Sequence, residues 1–156
     1  MPFVPREAVE TARPHVLGLF RIVVGLLFVC HGAAKLFGVL GGVGGGATVG
    51  TWAWPGFYAG LIELGAGSLV LVGLRTRTAA LLCSGSMAFA YFDVHQERAL
   101  WPIENGGETA ALYSWVFLLI AFAGPGSFAL GSVLGPVLKR RGAPATAAEE
   151  PAPAAV

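Results

Sequence analysis

The chain has 156 residues, 55% of them hydrophobic and only 12% charged, with a formal net charge of +1 and a mean hydropathy of +0.70. Soluble domains carry about 25% charged residues, and a chain this short has too little interior to hide so much apolar surface from water. The composition therefore excludes an ordinary soluble domain. Lacking a basic run interleaved with aromatics, it also excludes a nucleic-acid partner, and it points to one helical domain whose partner is the lipid bilayer.

Residues 1–15 mix prolines with Arg6, Glu7, Glu10 and Arg13. They show no basic-then-apolar leader pattern and read as an N-terminal cytoplasmic segment, with the first apolar segment retained. That segment covers residues 16–37 and carries Arg21, His31 and Lys35 inside or at the edge of an oily run, where charge is costly. At helical spacing Arg21, Gly25, Phe28, Gly32 and Lys35 fall along one side, and His31 sits four residues before Lys35. The polar groups thus share a stripe expected to point into a bundle rather than at lipid.

Residues 41–55 are dense in glycine, which denies a stable helix, and Trp52 and Trp54 suit headgroup depth, so this stretch reads as an interfacial loop. The second segment, 57–74, places Glu63 among Ala59, Gly60, Ala66 and Gly67, small residues that let a neighbouring helix come close. Its connection through Gly73, Arg75 and Arg77 to the third segment, 78–92, is so short that the two must be antiparallel neighbours. A polar loop with Asp93, His95, Glu97, Glu104 and Glu108 leads to the fourth segment, 109–123, which Gly124-Pro125-Gly126 stops. A short surface helix is expected from Ser127 to Leu138, and residues 139–156, opening on Lys139-Arg140-Arg141, read as a disordered cytoplasmic tail.

The fold expected is all-α: a membrane-spanning four-helix bundle over residues 16–138 with a short C-terminal surface helix. Each segment lies near the roughly 20-residue crossing length, the third and fourth borrowing flanking residues. Arg6, Arg13, Arg75, Arg77, Lys139, Arg140 and Arg141 fall on one side of such a bundle, which puts both termini in the cytoplasm and makes the chain a multi-pass protein of the cytoplasmic membrane. Cys30 and Cys83 would then differ in depth by roughly 10 Å at 1.5 Å per residue, too far for a disulfide.

The pattern Arg21-x3-Gly25-x2-Phe28-x3-Gly32-x2-Lys35-Leu36-x-Gly38 resembles the opening of DoxX family membrane proteins. So do Glu63-x3-Gly67 leading through Gly73 to Thr76-Arg77-x-Ala79-Ala80, His95, and Gly107-Glu108-x-Ala110-x-Leu112-Tyr113. The resemblance covers about residues 17–131. It departs after Gly126, where the family tends to have a basic residue and then Ser-Leu-Asp, while Ser127, Ala129, Leu130 and Gly131 stand here. The resemblance implies a small four-helix protein of the cytoplasmic membrane, linked in some members to thiosulfate-to-quinone electron transfer and to oxidative-stress complexes.

The candidate polar cluster or ligand-binding set is Arg21, His31, Lys35, Glu63, His95 and Glu108. By depth, Lys35 or His31 is the expected partner of Glu63, and an ion pair that merely holds the bundle together is the plain alternative. Beneath an aromatic rim of Trp52, Trp54, Phe57, Tyr58 and Trp101 the same set suits a quinone or a lipid headgroup. His31 and His95 with the nearby carboxylates have the chemistry of metal or haem ligands but no close ligand interval, and hydrogen-bonded interfacial histidines are the ordinary reading. No metal is assigned. With no flavin, haem or iron–sulfur motif, whether the chain is an enzyme stays open, and a redox role requires a soluble or membrane oxidoreductase partner. The other reading is a non-catalytic scaffold, assembly or transport subunit. Gly25, Gly32, Gly60 and Gly67, with Gly85 and the Gly38–Gly42 pair, would then serve helix packing within the chain or in a homo-oligomer.

Overall fold

A computed structural model describes residues 5–134. The regular elements among the described residues are all helical. Helix α1 spans Arg6–Phe37, α2 Gly56–Val72, α3 Thr76–Ala90, the short α4 Pro102–Asn105, and α5 Glu108–Ala123. Among the described residues only α1, with 32 residues, is by its own length and composition a candidate to cross a membrane, while α2 and α5 are shorter apolar helices.

Helix α1 begins ten residues before the apolar stretch, so the segment expected to stand apart at the N-terminus is continuous with the first helix. Glu7 in the first turn suits the positive end of the helix dipole. Pro14 lies inside the helix, and its carbonyl accepts a hydrogen bond from the Ser127 N–H at 2.8 Å. The far end is closed by Gly38 at φ 70°, in the left-handed region that glycine enters without a steric penalty. Gly38 and Gly42 therefore belong to a loop, where a single 3₁₀ turn, Val39–Gly41, follows the helix, and they pack no helix pair. The loop folds back on α1 through the Val49 N–H, which donates to the Lys35 carbonyl at 2.8 Å.

Helix α1 packs on α2, α2 on α3, and α3 on α5. The core between them holds Val24, Phe28, Val70, Cys83, Phe117 and Ile120. Phe28 closes the ring by meeting Phe117 edge-on with centroids 4.6 Å apart and Tyr113 at 5.3 Å. Close approach of α1 and α2 depends on missing side chains. A Cβ on Gly25 would lie 2.7 Å from the Leu71 nitrogen, and one on Gly32 2.5 Å from the Leu64 nitrogen. Gly60 and Gly67 meet Leu36 and Phe28 in the same interface. Gly85 faces open space and takes no part in packing among the described residues of the chain.

Helix α2 ends in a Schellman turn: the Leu74 N–H reaches the Leu69 carbonyl at 3.0 Å and the Gly73 N–H the Val70 carbonyl at 3.1 Å, with Gly73 at φ 76°. Helix α3 continues past Ala90 as a π-helical turn, Tyr91–His95. Within the polar loop beyond it lies α4, one turn long, with Pro102 at its start and the left-handed Gly106 at its end. Residues 130–134 are helical, so the expected surface helix starts three residues later than Ser127. Its far half and the tail from Lys139 lie outside the described residues.

Candidate functional site

The antiparallel crossing of α1 and α2 sorts the polar residues into two ends. Fourteen residues separate Arg21 from Lys35, roughly 21 Å along a helix, so they cannot share one site.

At the loop end, where residues 38–55 lie, the Lys35 ammonium donates to Glu63 Oε1. Gly60 and Gly32 bring the two backbones close enough for this pair to form. The Glu63 side chain is 2% exposed and that of Lys35 28%, so the carboxylate is sealed between helices while the ammonium reaches the edge. Glu63 Oε2 is buried with no partner. A buried acceptor left unpaired costs about 1–3 kcal/mol, and more when charged.

Of the other expected members, His31 lies near enough to Glu63 to act on it electrostatically, while His95 and Glu108 lie apart. His31 is exposed, its ring edge-on to Tyr113 with centroids 5.9 Å apart. It stands roughly 80° round the helix from Arg21 at 100° per residue, on the shoulder of the buried stripe and turned toward α5. His95 is half-buried, and its Nδ1 lies 3.2 Å from the Asn105 carbonyl oxygen. Glu108 is exposed in the first turn of α5. The structure brings together Lys35 and Glu63, and none of the polar contacts described joins His95 or Glu108 to them. Among the described residues no three His, Cys, Asp or Glu side chains converge as a metal site. Cys30 and Cys83 are both free.

The aromatic rim is a real cluster in part. Trp52, Trp54, Phe57 and Tyr58 meet one another in tilted and edge-on contacts, and Trp54 meets Phe89 of α3 edge-on at 5.5 Å. Trp101 is exposed and outside this set of contacts. A cavity of 160 Å³ lies beneath the rim, lined by Trp54, Tyr58, Ala59, Ile62, Phe89 and Ala90. Ala59 is one helical turn from Glu63 on the same helix.

Two features of this end escape a reading by residue type. Asn105 is buried and ties the loop together, its amide donating to the Ala99 carbonyl at 3.0 Å and its Oδ1 accepting from the Gly107 N–H at 2.7 Å. The only available signal is Asn just before two glycines, a turn pattern. Tyr113 links His31 to Phe28 and Phe117.

At the opposite end Arg21 is fully buried and bonds no carboxylate. Its Nε donates to the Pro125 carbonyl at 2.8 Å, Nη1 to Val70 at 2.6 Å and Leu71 at 2.5 Å, and Nη2 to Phe128 at 3.1 Å and Ser127 at 3.5 Å. The last carbonyls of α2 have no intrahelical donor, and a guanidinium with five N–H groups in a plane is suited to collect them. Arg77 does the same for α5, its Nη1 reaching the Ala121 and Phe122 carbonyls at 3.1 and 2.9 Å. This corner, despite its departure from the resembled pattern, is thus held by Arg21 and by the close approach of Gly18 and Gly126.

The DoxX family model matches residues 16–96. An uncharacterised protein of Haemophilus influenzae is 42% identical over 125 residues, 78% of this chain and 92% of its own length. The inner membrane protein YqjF of Escherichia coli is 31% identical over 117 residues, 73% of this chain and 88% of its own length. No solved structure matches the chain.

Proposed function

Because the chain belongs to the DoxX family, a family of membrane proteins, we propose that it crosses the cell membrane as a four-helix bundle and serves there as a subunit of a redox or oxidative-stress system. In this reading it takes a quinone or a lipid headgroup at the Lys35–Glu63 pair. Both termini lie in the cytoplasm, because Arg6, Arg13, Arg75 and Arg77 stand at one end. The pair then sits in the outer half of the bilayer.

The observation that carries the reading is Glu63 Oε2, buried and unpartnered beside an ammonium that reaches the surface. A hydroxyl of a quinol or headgroup would supply the missing donor, and Lys35 Nζ has N–H groups left for a carbonyl or phosphate oxygen. The aromatic cavity one turn away suits a flat ring or the upper part of an acyl chain. A bound quinone would supply the redox chemistry. The protein would hold and orient it and leave electron delivery to an oxidoreductase partner.

A scaffold, assembly or transport role, alone or as a homo-oligomer, draws support from the same pair, since Lys35 and Glu63 also staple α1 to α2 without any ligand. Native mass spectrometry of protein extracted in its own lipids separates the two. A quinone or lipid retained by the parent and lost in Glu63→Gln, with the melting temperature kept, supports the ligand site. An apo protein that co-purifies with an oxidoreductase supports the scaffold.

A further inference from the structure

At the end of the molecule that carries the turns, a cavity of 280 Å³ opens between the α2–α3 connection and the residues after α5. Arg75, Thr76, Arg77, Thr78, Pro125 and Ser132 line it, with no carboxylate among the described residues of its walls. Helix α3 starts here, 15 residues long, and no side chain caps it. Its first intrahelical bond is from the Ala79 N–H to the Arg75 carbonyl, which leaves the N–H groups of Thr76, Arg77 and Thr78 free of intrahelical acceptors at the positive end of the dipole.

A second observation is independent of the helix end. Thr76 is 4% exposed, and its hydroxyl is buried with no partner. Nearly all buried hydroxyls in folded proteins are bonded, and one left over on the wall of a cavity calls for a ligand oxygen. Arg75 and Arg77 form no ion pair among the described residues. Arg77 spends Nη1 on the end of α5, while Arg75 makes no side-chain bond among the described residues. Helix N–H groups, a hydroxyl and guanidinium groups without a counter-charge are the donor set that recognises phosphate.

We propose that this cavity binds a phosphate group, that of an anionic phospholipid headgroup in the cytoplasmic leaflet. The arginines mark this end as the inner one, and an apolar chain with its donors at the membrane surface meets lipid phosphate before any soluble anion. The site is separate from the Lys35–Glu63 pair and owes nothing to a redox role.

The test uses the full chain, delipidated in detergent and mixed with phosphatidylglycerol or phosphatidylcholine, with retained lipid counted by native mass spectrometry and melting followed in parallel. The parent should retain phosphatidylglycerol at least fivefold over phosphatidylcholine. Arg75→Gln and Thr76→Val should each remove most of that preference, with Thr76→Ser restoring it. Inorganic phosphate at millimolar concentration forms a second arm: protection of the parent against melting by phosphate, lost in both variants and without lipid preference, keeps the site and assigns it to a free anion. Should Thr76→Val fail to fold, Arg75→Gln on the exposed residue decides alone. If Arg75→Gln binds phosphatidylglycerol and phosphate as the parent does, the proposal is overturned.

Discussion

Adding one methyl group at Gly32 would set a carbon 2.5 Å from the Leu64 nitrogen, a backbone atom that cannot swing aside. Gly32→Ala should therefore push α1 from α2 and cost about 1–3 kcal/mol, as overpacking of tight cores does. The same substitution at Gly85, where nothing lies within 4 Å, should leave the melting temperature unchanged or raise it, since alanine favours a helix by up to about 1 kcal/mol. The two variants melted side by side in one detergent check the interface directly. For the Lys35–Glu63 pair, Lys35→Met leaves a sealed carboxylate without its cation and should cost about 3–5 kcal/mol. Adding Glu63→Gln to it should return much of the loss, and a double-mutant cycle with additive losses would mean that the two side chains do not interact.

Among the elements, arginine acts at the C-terminal ends of α2 and α5, and no side chain caps the start of any described α-helix. Arg77→Met should strip the donor from the Ala121 and Phe122 carbonyls. Hydrogen exchange should then speed up in the last turn of α5 while α1 and α2 keep their protection. Between elements, Ser84 Oγ donates to the Ser114 carbonyl at 2.8 Å and pins α3 to α5. Ser84→Ala should cost only about 0.6 kcal/mol, the average for such bonds between helices in membranes. These elements were legible in unequal degree. The buried side of α1 follows from the 3.6-residue spacing of Arg21, Gly25, Phe28 and Gly32, all of them buried. His31, four residues before Lys35, lies at the edge of that stripe and not at its centre, against Tyr113. The extension of α1 to Arg6 was hidden by Pro14, which breaks most helices but here sits where the first turns are exposed on every side. The acceptors of Arg21 were beyond reach altogether, since a backbone carbonyl looks the same at every residue.

For the whole molecule, the proposed course of the chain puts the loop of residues 38–55 and the start of α1 on opposite sides of the membrane. With Cys30 and Cys83 replaced, Thr48→Cys should react with an impermeant maleimide added to intact cells, and Ala8→Cys only after lysis; the reverse order would invert the topology. Arg21 adds a constraint in time. Its acceptors at Val70 and Leu71 lie 49 and 50 residues downstream, and those at Pro125, Ser127 and Phe128 lie 104, 106 and 107 downstream. If the chain takes the proposed course, α1 enters the membrane with an unanswered cation and waits for more than a hundred further residues to be made. A nascent chain halted after Ala123 would carry that charge with two carbonyls in place of five. A segment made more than a hundred residues later thus completes the shell of the first helix's buried cation.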